Sequence, residues 1–210
     1  MPERKRRHLR LGVLLSGSGT NLHAIIDACG GGSLDADVAV VVSDKADAYG
    51  LERARQAGIA AVHVSRADHP DASSFNIAIR DALVASEVDF VVMAGYMRLL
   101  GREVLASYPM RVINIHPALL PSFPGAHGIG DAFAYGVKVT GVTVHFANEV
   151  FDEGAIIAQV PVRVEESDTV ETLESKIHAI EHVLYPSTLQ LLAEGRVRIE
   201  GRTVRILPSG

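Results

Sequence analysis

The chain has 210 residues, 48% of them hydrophobic and 21% charged, and its formal net charge at pH 7 is -5. This length fits one folded domain, since single cores stop growing only above about 250 to 300 residues, and the composition excludes a disordered chain. The negative net charge argues against a nucleic-acid-binding surface, and the single cysteine, Cys29, excludes an internal disulfide.

The N-terminal segment contains the one basic run of the chain, from Arg4 to Arg7. We interpret residues 1–10 as a solvated basic tail and expect a single domain over residues 11–200. The apolar run that follows, Leu11 to Leu15, is shorter than the ~7 to 15 residues of a signal-peptide core. No apolar run approaches the ~18 residues that span a bilayer. The sequence therefore predicts a cytoplasmic protein with neither a membrane nor a nucleic acid as partner.

Short apolar runs alternate with helical patterns in the first half of the chain. Buried strands are predicted at Val13–Leu15, Val38–Val42, Ala60–Val64 and Phe90–Ala94. Helices are predicted between them at residues 21–29, 47–57 and 73–86. This βαβ progression is typical of a doubly wound, mostly parallel sheet with helices on both faces, which binds ligands at the carboxyl ends of its strands.

The pattern changes after a strand that begins at Val112. The runs Val139–Phe146 and Ile156–Val164 alternate more clearly and have only a short link, which predicts an antiparallel hairpin added to the sheet. A closing helix is predicted at residues 169–194, with Asp168 or Thr169 as its N-cap. Pro186 is expected to kink or divide this helix. The predicted fold is a single-domain, Rossmann-like α/β fold with a C-terminal antiparallel hairpin.

A glycine-rich segment, Ser16 to Asn21, follows the first predicted strand. Its glycines let the backbone approach an anion, and the next helix presents free N–H groups, so a phosphate is the expected ligand. A dinucleotide fingerprint is a rival interpretation, with Asp44 as the ribose-binding acid, although Leu22 replaces its third glycine. The plain structural alternative is a tight turn with Thr20 or Asn21 as the helix cap.

A second loop candidate follows the predicted strand at Phe90–Ala94. Gly95 would let a ligand lie against the backbone, while Met97, Leu99 and Leu100 could wall an apolar slot for a flat ring. The structural alternative is a strand that runs into a helix whose apolar face belongs to the core.

An amide and an imidazole stand at the end of the strand that begins at Val112. Because residues alternate faces along a strand, Asn114 and His116 project from the same side and could hold an oxyanion and move a proton. Asp152 lies in a later turn and would belong to the site only if it faces His116. The Pro- and Gly-rich stretch 119–128 is typical of a functional loop. The histidines show no ligand-spaced cluster, so no metal is expected.

Seven motifs, in this order and spacing, carry a resemblance that runs from Leu11 to Arg198. The chain resembles the phosphoribosylglycinamide formyltransferase family, which are folate-dependent enzymes of purine biosynthesis. The motifs are SGSGTN at 16–21, SDKADA at 43–48, AGYMR at 94–98, NIHPALLP at 114–121, GVTVHF at 141–146, DEG at 152–154 and EH at 181–182.

The resemblance implies a formyltransferase fold and transfer of the formyl group from 10-formyltetrahydrofolate to 5-phosphoribosylglycinamide in de novo purine (IMP) biosynthesis. The N-terminal half would bind the ribonucleotide, and the C-terminal half would bind the folate and carry the catalytic groups. The implied site comprises a catalytic triad, Asn114, His116 and Asp152; a phosphate and ribose site, Gly19, Thr20, Asn21 and Glu181; and a folate site, Met97, Arg98, Leu99, Leu100 and Asn114. The expected partners are these two small molecules, and an exposed helix face would allow a homodimer.

Asn114 would then stabilise the oxyanion, and His116 would act as general acid, kept protonated near neutral pH by Asp152. Some positions depart from the family pattern: residues 127–130, His178 near the phosphate, Ala72 near the folate tail, and Asp44 in place of the usual asparagine. Formyltetrahydrofolate hydrolase, another folate-dependent formyltransferase and a noncatalytic nucleotide-binding module remain alternatives.

Overall fold

A computed structural model of the chain describes residues 8–209, so residues 1–7 of the predicted tail lie outside the described part. Its strands are β1 (Leu9–Leu15), β2 (Ala36–Ser43), β3 (Ala60–His63), β4 (Phe90–Met93), β5 (Val112–His116), β6 (Val139–Phe146), β7 (Ile156–Arg163), β8 (Val197–Glu200) and β9 (Thr203–Ile206). Its α-helices are α1 (Thr20–Gly30), α2 (Tyr49–Gln56), α3 (Ala72–Ala85), α4 (Arg102–Leu105), α5 (Gly128–Tyr135) and α6 (Val170–Ala193), and a 3-10 turn lies at Arg66–Asp68.

The strands within residues 8–209 form a seven-stranded sheet in the order β3-β2-β1-β4-β5-β6-β7 and a separate β8-β9 hairpin. Pairing is parallel from β3 to β5 and antiparallel for β5-β6 and β6-β7. This confirms the mostly parallel sheet and its added hairpin. The chain winds outward from β1 to β3 and then returns to β4 on the other side of β1. A crevice therefore opens at the carboxyl ends of β1 and β4.

Alternate residues of each central strand pack on opposite faces of the sheet. On β1, Val13 and Leu15 belong to one apolar cluster, with Leu22 of α1 and Leu173 of α6, whereas Leu14 belongs to a second cluster. The second cluster also contains residues of α3, namely Phe75, Ile79 and Leu83. Helices thus cover both faces, which explains why the central strands read as continuous apolar runs.

Helix α6 begins as expected and continues through its proline. Thr169 is the N-cap and forms a capping box with Thr172. The expectation that Pro186 divides this helix is wrong, because α6 runs unbroken over 24 residues. The missing N–H of Pro186 removes one helix hydrogen bond, while the buried residues Tyr185 and Leu189 on either side fix this turn of the helix against the sheet.

The domain boundaries differ from those expected at both ends. Strand β1 begins at Leu9, which pairs with Ala36, and Arg10 N–H donates to Asp89 Oδ2 at 2.9 Å, so residues 9–10 belong to the sheet rather than to the tail. The β8-β9 hairpin extends the folded chain beyond residue 200 and was not predicted. Among the described residues, no helix is long and apolar enough to cross a membrane.

Candidate active site

A cavity of about 690 Å³ lies at the carboxyl ends of β1, β4 and β5. Its wall is built from the glycine-rich loop, the segment after β4, the end of β5, the loop before α5, the β6-β7 turn and α6. Residues from these parts include Gly17, Asn21, Met97, Leu99, Asn114, His116, Gly125, Asp152 and Glu181. The cavity therefore lies where the topology predicts a ligand, and it contacts both halves of the chain.

The three residues of the expected triad converge in this cavity. Asn114 and His116 project from the same face of β5, and Asp152 reaches them from the β6-β7 turn. His116 Nδ1 lies 3.4 Å from Asp152 Oδ2, and Asn114 Nδ2 donates to Asp152 Oδ1 at 3.3 Å. The side chains of His116 and Asp152 are only 4% and 5% exposed, so their interaction is poorly screened by water.

Asp152 is held in place by the backbone around it. Its φ of 57° is in the left-handed region, and the Gly125 N–H donates to its Oδ2 at 2.7 Å. Two residues later, the Phe146 carbonyl occupies the space that a Cβ on Gly154 would need. The turn can therefore pack this closely against the end of β6 only because position 154 is glycine.

His145 is a residue of the site that the sequence reasoning missed. It lies opposite Asn114 in the β5-β6 pairing, and its Nε2 is 3.2 Å from Asn114 Nδ2 and 3.5 Å from Asp152 Oδ1. Its other nitrogen, Nδ1, donates to the Phe146 carbonyl at 2.9 Å, which directs Nε2 toward the site. The strand alternation of the motif at 141–146 places His145 on the same face of β6 as Thr143, but only the β5-β6 register brings it beside Asn114.

Burial opposes the protonation expected for His116. Burial lowers the pKa of His116, and the opposing effects of Asp152 and of the Phe123 carbonyl, which accepts from Nε2 at 2.7 Å, do not offset it. Burial acts to raise the pKa of Asp152, but the nearby His145, whose Nε2 lies 3.5 Å from Oδ1, and the hydrogen bond from the Gly125 N–H lower it below its usual value. Burial therefore opposes the effect of Asp152, which on its own would favour the protonated ring and raise the pKa of His116.

The glycine-rich loop forms the opposite end of the cavity. Gly19 has a φ of 70°, and a Cβ there would lie 2.7 Å from the Cα of Gly50, so both the turn and the close approach require glycine. Gly19 is itself the N-cap of α1 and makes no side-chain cap bond, so the structural alternative of Thr20 or Asn21 as a plain cap is wrong. The first N–H groups of α1 remain available to an anion.

Asn21 of α1 and Glu181 of α6 meet at this end of the cavity. Asn21 Nδ2 donates to Glu181 Oε2 at 3.0 Å, while the buried Asn21 Oδ1 has no partner among the described residues. Glu181 is 4% exposed, and burial raises the pKa of its carboxyl despite the hydrogen bond from Asn21. His178 and Glu174, one and two turns earlier on α6, also line this end of the cavity.

The segment after β4 is a loop, so the alternative of a strand running into a helix is wrong. Met97 and Leu99 are exposed and line the cavity together with the buried Leu100. Arg98 is not part of the cavity wall: its Nε donates to Asp44 Oδ2 at 2.6 Å. Both side chains are thus engaged with each other outside the cavity wall. A contact of Arg98 with the folate stays a prediction, and Asp44 does not line the cavity as a ribose-binding acid would.

Within residues 8–209, no group of three or more His, Cys, Asp or Glu side chains is arranged to hold a metal ion.

Comparison with known proteins gives a consistent result. The model of the formyl transferase family matches residues 9–189. Phosphoribosylglycinamide formyltransferase of Bacillus subtilis is 42% identical over 87% of this chain and 94% of its own length. The structure of glycinamide ribonucleotide transformylase 1 from Symbiobacterium toebii is 53% identical, has a TM-score of 0.94, and covers 96% of this chain and 95% of its own.

A solved structure with a different activity in its name is also similar. The formyltetrahydrofolate deformylase from Pseudomonas syringae has a TM-score of 0.87 and 27% identity, covering 95% of this chain but only 66% of its own. The fold alone therefore does not distinguish transfer of a formyl group from its hydrolysis.

Proposed function

This chain belongs to the formyl transferase family, and we propose that within it the chain is a phosphoribosylglycinamide formyltransferase. It transfers the formyl group of 10-formyltetrahydrofolate to the amine of 5-phosphoribosylglycinamide, giving N-formylglycinamide ribonucleotide and tetrahydrofolate in purine biosynthesis. Both substrates are small molecules, and the proposed location is the cytoplasm.

The two ends of the cavity suit the two substrates. At one end, the backbone N–H groups of Gly19, Thr20 and Asn21 bind the phosphate, and Glu181 accepts hydrogen bonds from the ribose hydroxyls. At the other end, the apolar side chains of Met97, Leu99 and Leu100 flank the flat ring of the folate, whose edge is bound by backbone groups.

The triad lies between these ends and acts on the formyl carbon. The amine nitrogen attacks this carbon, and the carbonyl oxygen becomes an oxyanion. Asn114 Nδ2 carries two hydrogens, and its contacts of 3.2 and 3.3 Å are long, so one hydrogen can turn to the oxyanion at little cost. Loss of one such donor in other enzymes lowers the rate by about 100 to 1000-fold.

His116 moves the proton. With the ring hydrogen on Nδ1, facing Asp152, Nε2 accepts a proton from the attacking nitrogen once it leaves the Phe123 carbonyl. The imidazolium then donates this proton to N10 as the bond between N10 and the formyl carbon breaks. Asp152 stabilises the transient imidazolium across 3.4 Å. The ring returns to its neutral state when N10 has been protonated.

The convergence of Asn114, His116 and Asp152 on one point of the cavity is the observation that carries this proposal. The test is deformylation of 10-formyltetrahydrofolate, followed by absorbance, with and without 5-phosphoribosylglycinamide. Turnover that requires the ribonucleotide supports the transferase. Turnover without it supports the deformylase alternative, which the likeness to the Pseudomonas syringae structure favours. Absence of turnover in both cases supports a noncatalytic binding protein.

A further inference from the structure

Asp44 is a buried acid that the mechanism does not use. It follows β2 directly, its side chain is 2% exposed, and it is not part of the cavity wall. Each of its carboxylate oxygens has a partner from a different segment: Oδ2 accepts from Arg98 Nε at 2.6 Å, and Oδ1 accepts from Ser16 Oγ at 2.6 Å. A carboxylate this buried is tolerated only because it is paired in this way.

Ser16 connects Asp44 to the backbone of the segment that follows β4. Its Oγ accepts from the Met97 N–H at 3.1 Å, and its own N–H donates to the Gly95 carbonyl at 3.0 Å. Ser16 thus binds both sides of residue 96, while Arg98 binds Asp44 directly. We call Asp44, Ser16 and Arg98 the Asp44 network.

The segment held by this network has no regular secondary structure of its own. Tyr96 and Leu100 anchor it on one side in the apolar cluster that contains α3. The Asp44 network anchors it on the other side, and Met97 and Leu99 are left facing the cavity. Because no helix or strand hydrogen bonds fix residues 95–99, these few contacts determine where the apolar wall lies.

We propose that Asp44 is a positioning residue for the folate end of the site, acting through Ser16 and Arg98 on the backbone of residues 95–98. This inference rests on the proposed function for the identity of the ligand, a folate ring, but not for the existence of the network. Asp44 touches no reacting atom. It keeps the binding-competent position of the loop populated, so that the folate does not have to order the loop on binding.

Removal of the carboxylate should therefore weaken folate binding selectively. If Asp44→Ala leaves the loop correctly placed in about a tenth of the molecules, the KM for 10-formyltetrahydrofolate rises about tenfold. The kcat and the KM for the ribonucleotide stay within about twofold, because saturating folate restores the loop. Asp44→Asn, which keeps an oxygen for Ser16 but loses the charge opposite Arg98, should give an intermediate rise.

The first measurement needs no substrate. Hydrogen exchange of the peptide covering residues 95–100 is compared, by mass spectrometry, in the wild type, Asp44→Ala, Asp44→Asn and Ser16→Ala. The matched control is Asp47→Asn, since Asp47 is an exposed acid three residues away. The network predicts that this peptide exchanges faster in the three variants than in the wild type, and at the wild-type rate in the control. The variants with faster exchange should also have the higher KM for 10-formyltetrahydrofolate.

Unchanged exchange in Asp44→Ala, or an equal rise of both KM values, would overturn the proposal. If Asp44→Ala does not fold, Asp44→Asn and Ser16→Ala still test it by the same two measurements. A wrong proposed function would give a different result. The variants would still show faster exchange, but neither they nor the wild type would transfer a formyl group to the ribonucleotide.

Discussion

Asn21 and Glu181 are 160 positions apart in the chain, and a hydrogen bond of 3.0 Å from Asn21 Nδ2 to Glu181 Oε2 joins them inside the cavity wall. The bond links the start of α1 to the middle of α6. The proposed phosphate and ribose contacts are therefore parts of one buried unit, and a change in either residue should affect the binding of the ribonucleotide before that of the folate.

Glu181→Gln should change binding and stability in opposite directions. Hydrogen bonds to a charged group are worth about 1.5 to 3 kcal/mol, so loss of the charge should raise the KM for the ribonucleotide roughly tenfold or more. Because burial raises the pKa of Glu181, the folded protein disfavours the carboxylate, and the neutral glutamine should raise Tm at pH 7. Steady-state kinetics and calorimetry check both effects; a fall in Tm would contradict the assigned cause of the shift.

Asn21→Ala should mainly raise the KM for the ribonucleotide. The variant removes the donor to Glu181 and leaves a buried carboxylate without it, which also costs about 1 to 3 kcal/mol of stability. The KM for 10-formyltetrahydrofolate should not change. His23→Ala, an exposed change two residues later on α1, is the control. If Asn21→Ala shows the kinetics of this control, the Asn21 side chain has no part in binding the ribonucleotide.

Asp152→Asn should lower kcat far more than it alters either KM. The carboxylate accepts from Asn114 and the Gly125 N–H and faces His116. The amide keeps the shape but cannot stabilise the imidazolium, and a comparable change in a serine protease costs about 10⁴ in kcat. We expect a loss of about 10² to 10⁴, measured at saturating substrates, with Glu153→Gln as the control. A kcat near that of the wild type would remove Asp152 from the mechanism.

His182 should make the protein less stable as the pH falls. Burial, and then the nearby His178 and His23, lower the pKa of His182, so the unfolded chain binds a proton more readily than the folded one. The stability contributed by the neutral ring is present above the unfolded pKa of about 6.5 and is lost as the pH falls through the folded pKa.

His182→Gln removes this titration, so the fall in Tm between pH 7.5 and pH 5.5 should be smaller in the variant than in the wild type. Other groups, including His116, titrate in both proteins and cancel in the comparison. Thermal unfolding followed by circular dichroism at the two pH values is sufficient, and an equal fall in both proteins would contradict the prediction.

The sequence predicts those features that depend on local pattern. The apolar runs located β2, β4 and β6 closely, and the spacing of Asn114 and His116 placed both on one face of β5. Helix α5 was missed because it begins in a glycine-rich stretch with weak helix propensity. It is stabilised instead by packing, with Ala132 buried and Ile129 and Phe133 against the core.

The features that depend on distant parts of the chain could not be predicted in the same way. The position of His145 next to Asn114 follows from the β5-β6 register, which no local pattern specifies. The burial that lowers the pKa of His116 depends on the folded surroundings of the ring, and the pairing of Arg98 with Asp44 joins residues 54 positions apart. In each case the sequence identifies the chemistry of the side chain, but only the fold determines which groups surround it.

The pairing of Asn114 with His145 and of His116 with Thr143 also limits how the gene can change without loss of the site. A strand repeats every two residues, so an insertion or deletion of one residue within β5 or β6 would turn one of these side-chain sets to the opposite face of the sheet. Changes in length are then confined to the surface connections, whereas the two strands can vary only by substitution. Proteins built this way should therefore differ in the lengths of their loops, while the lengths and the register of these two strands stay the same.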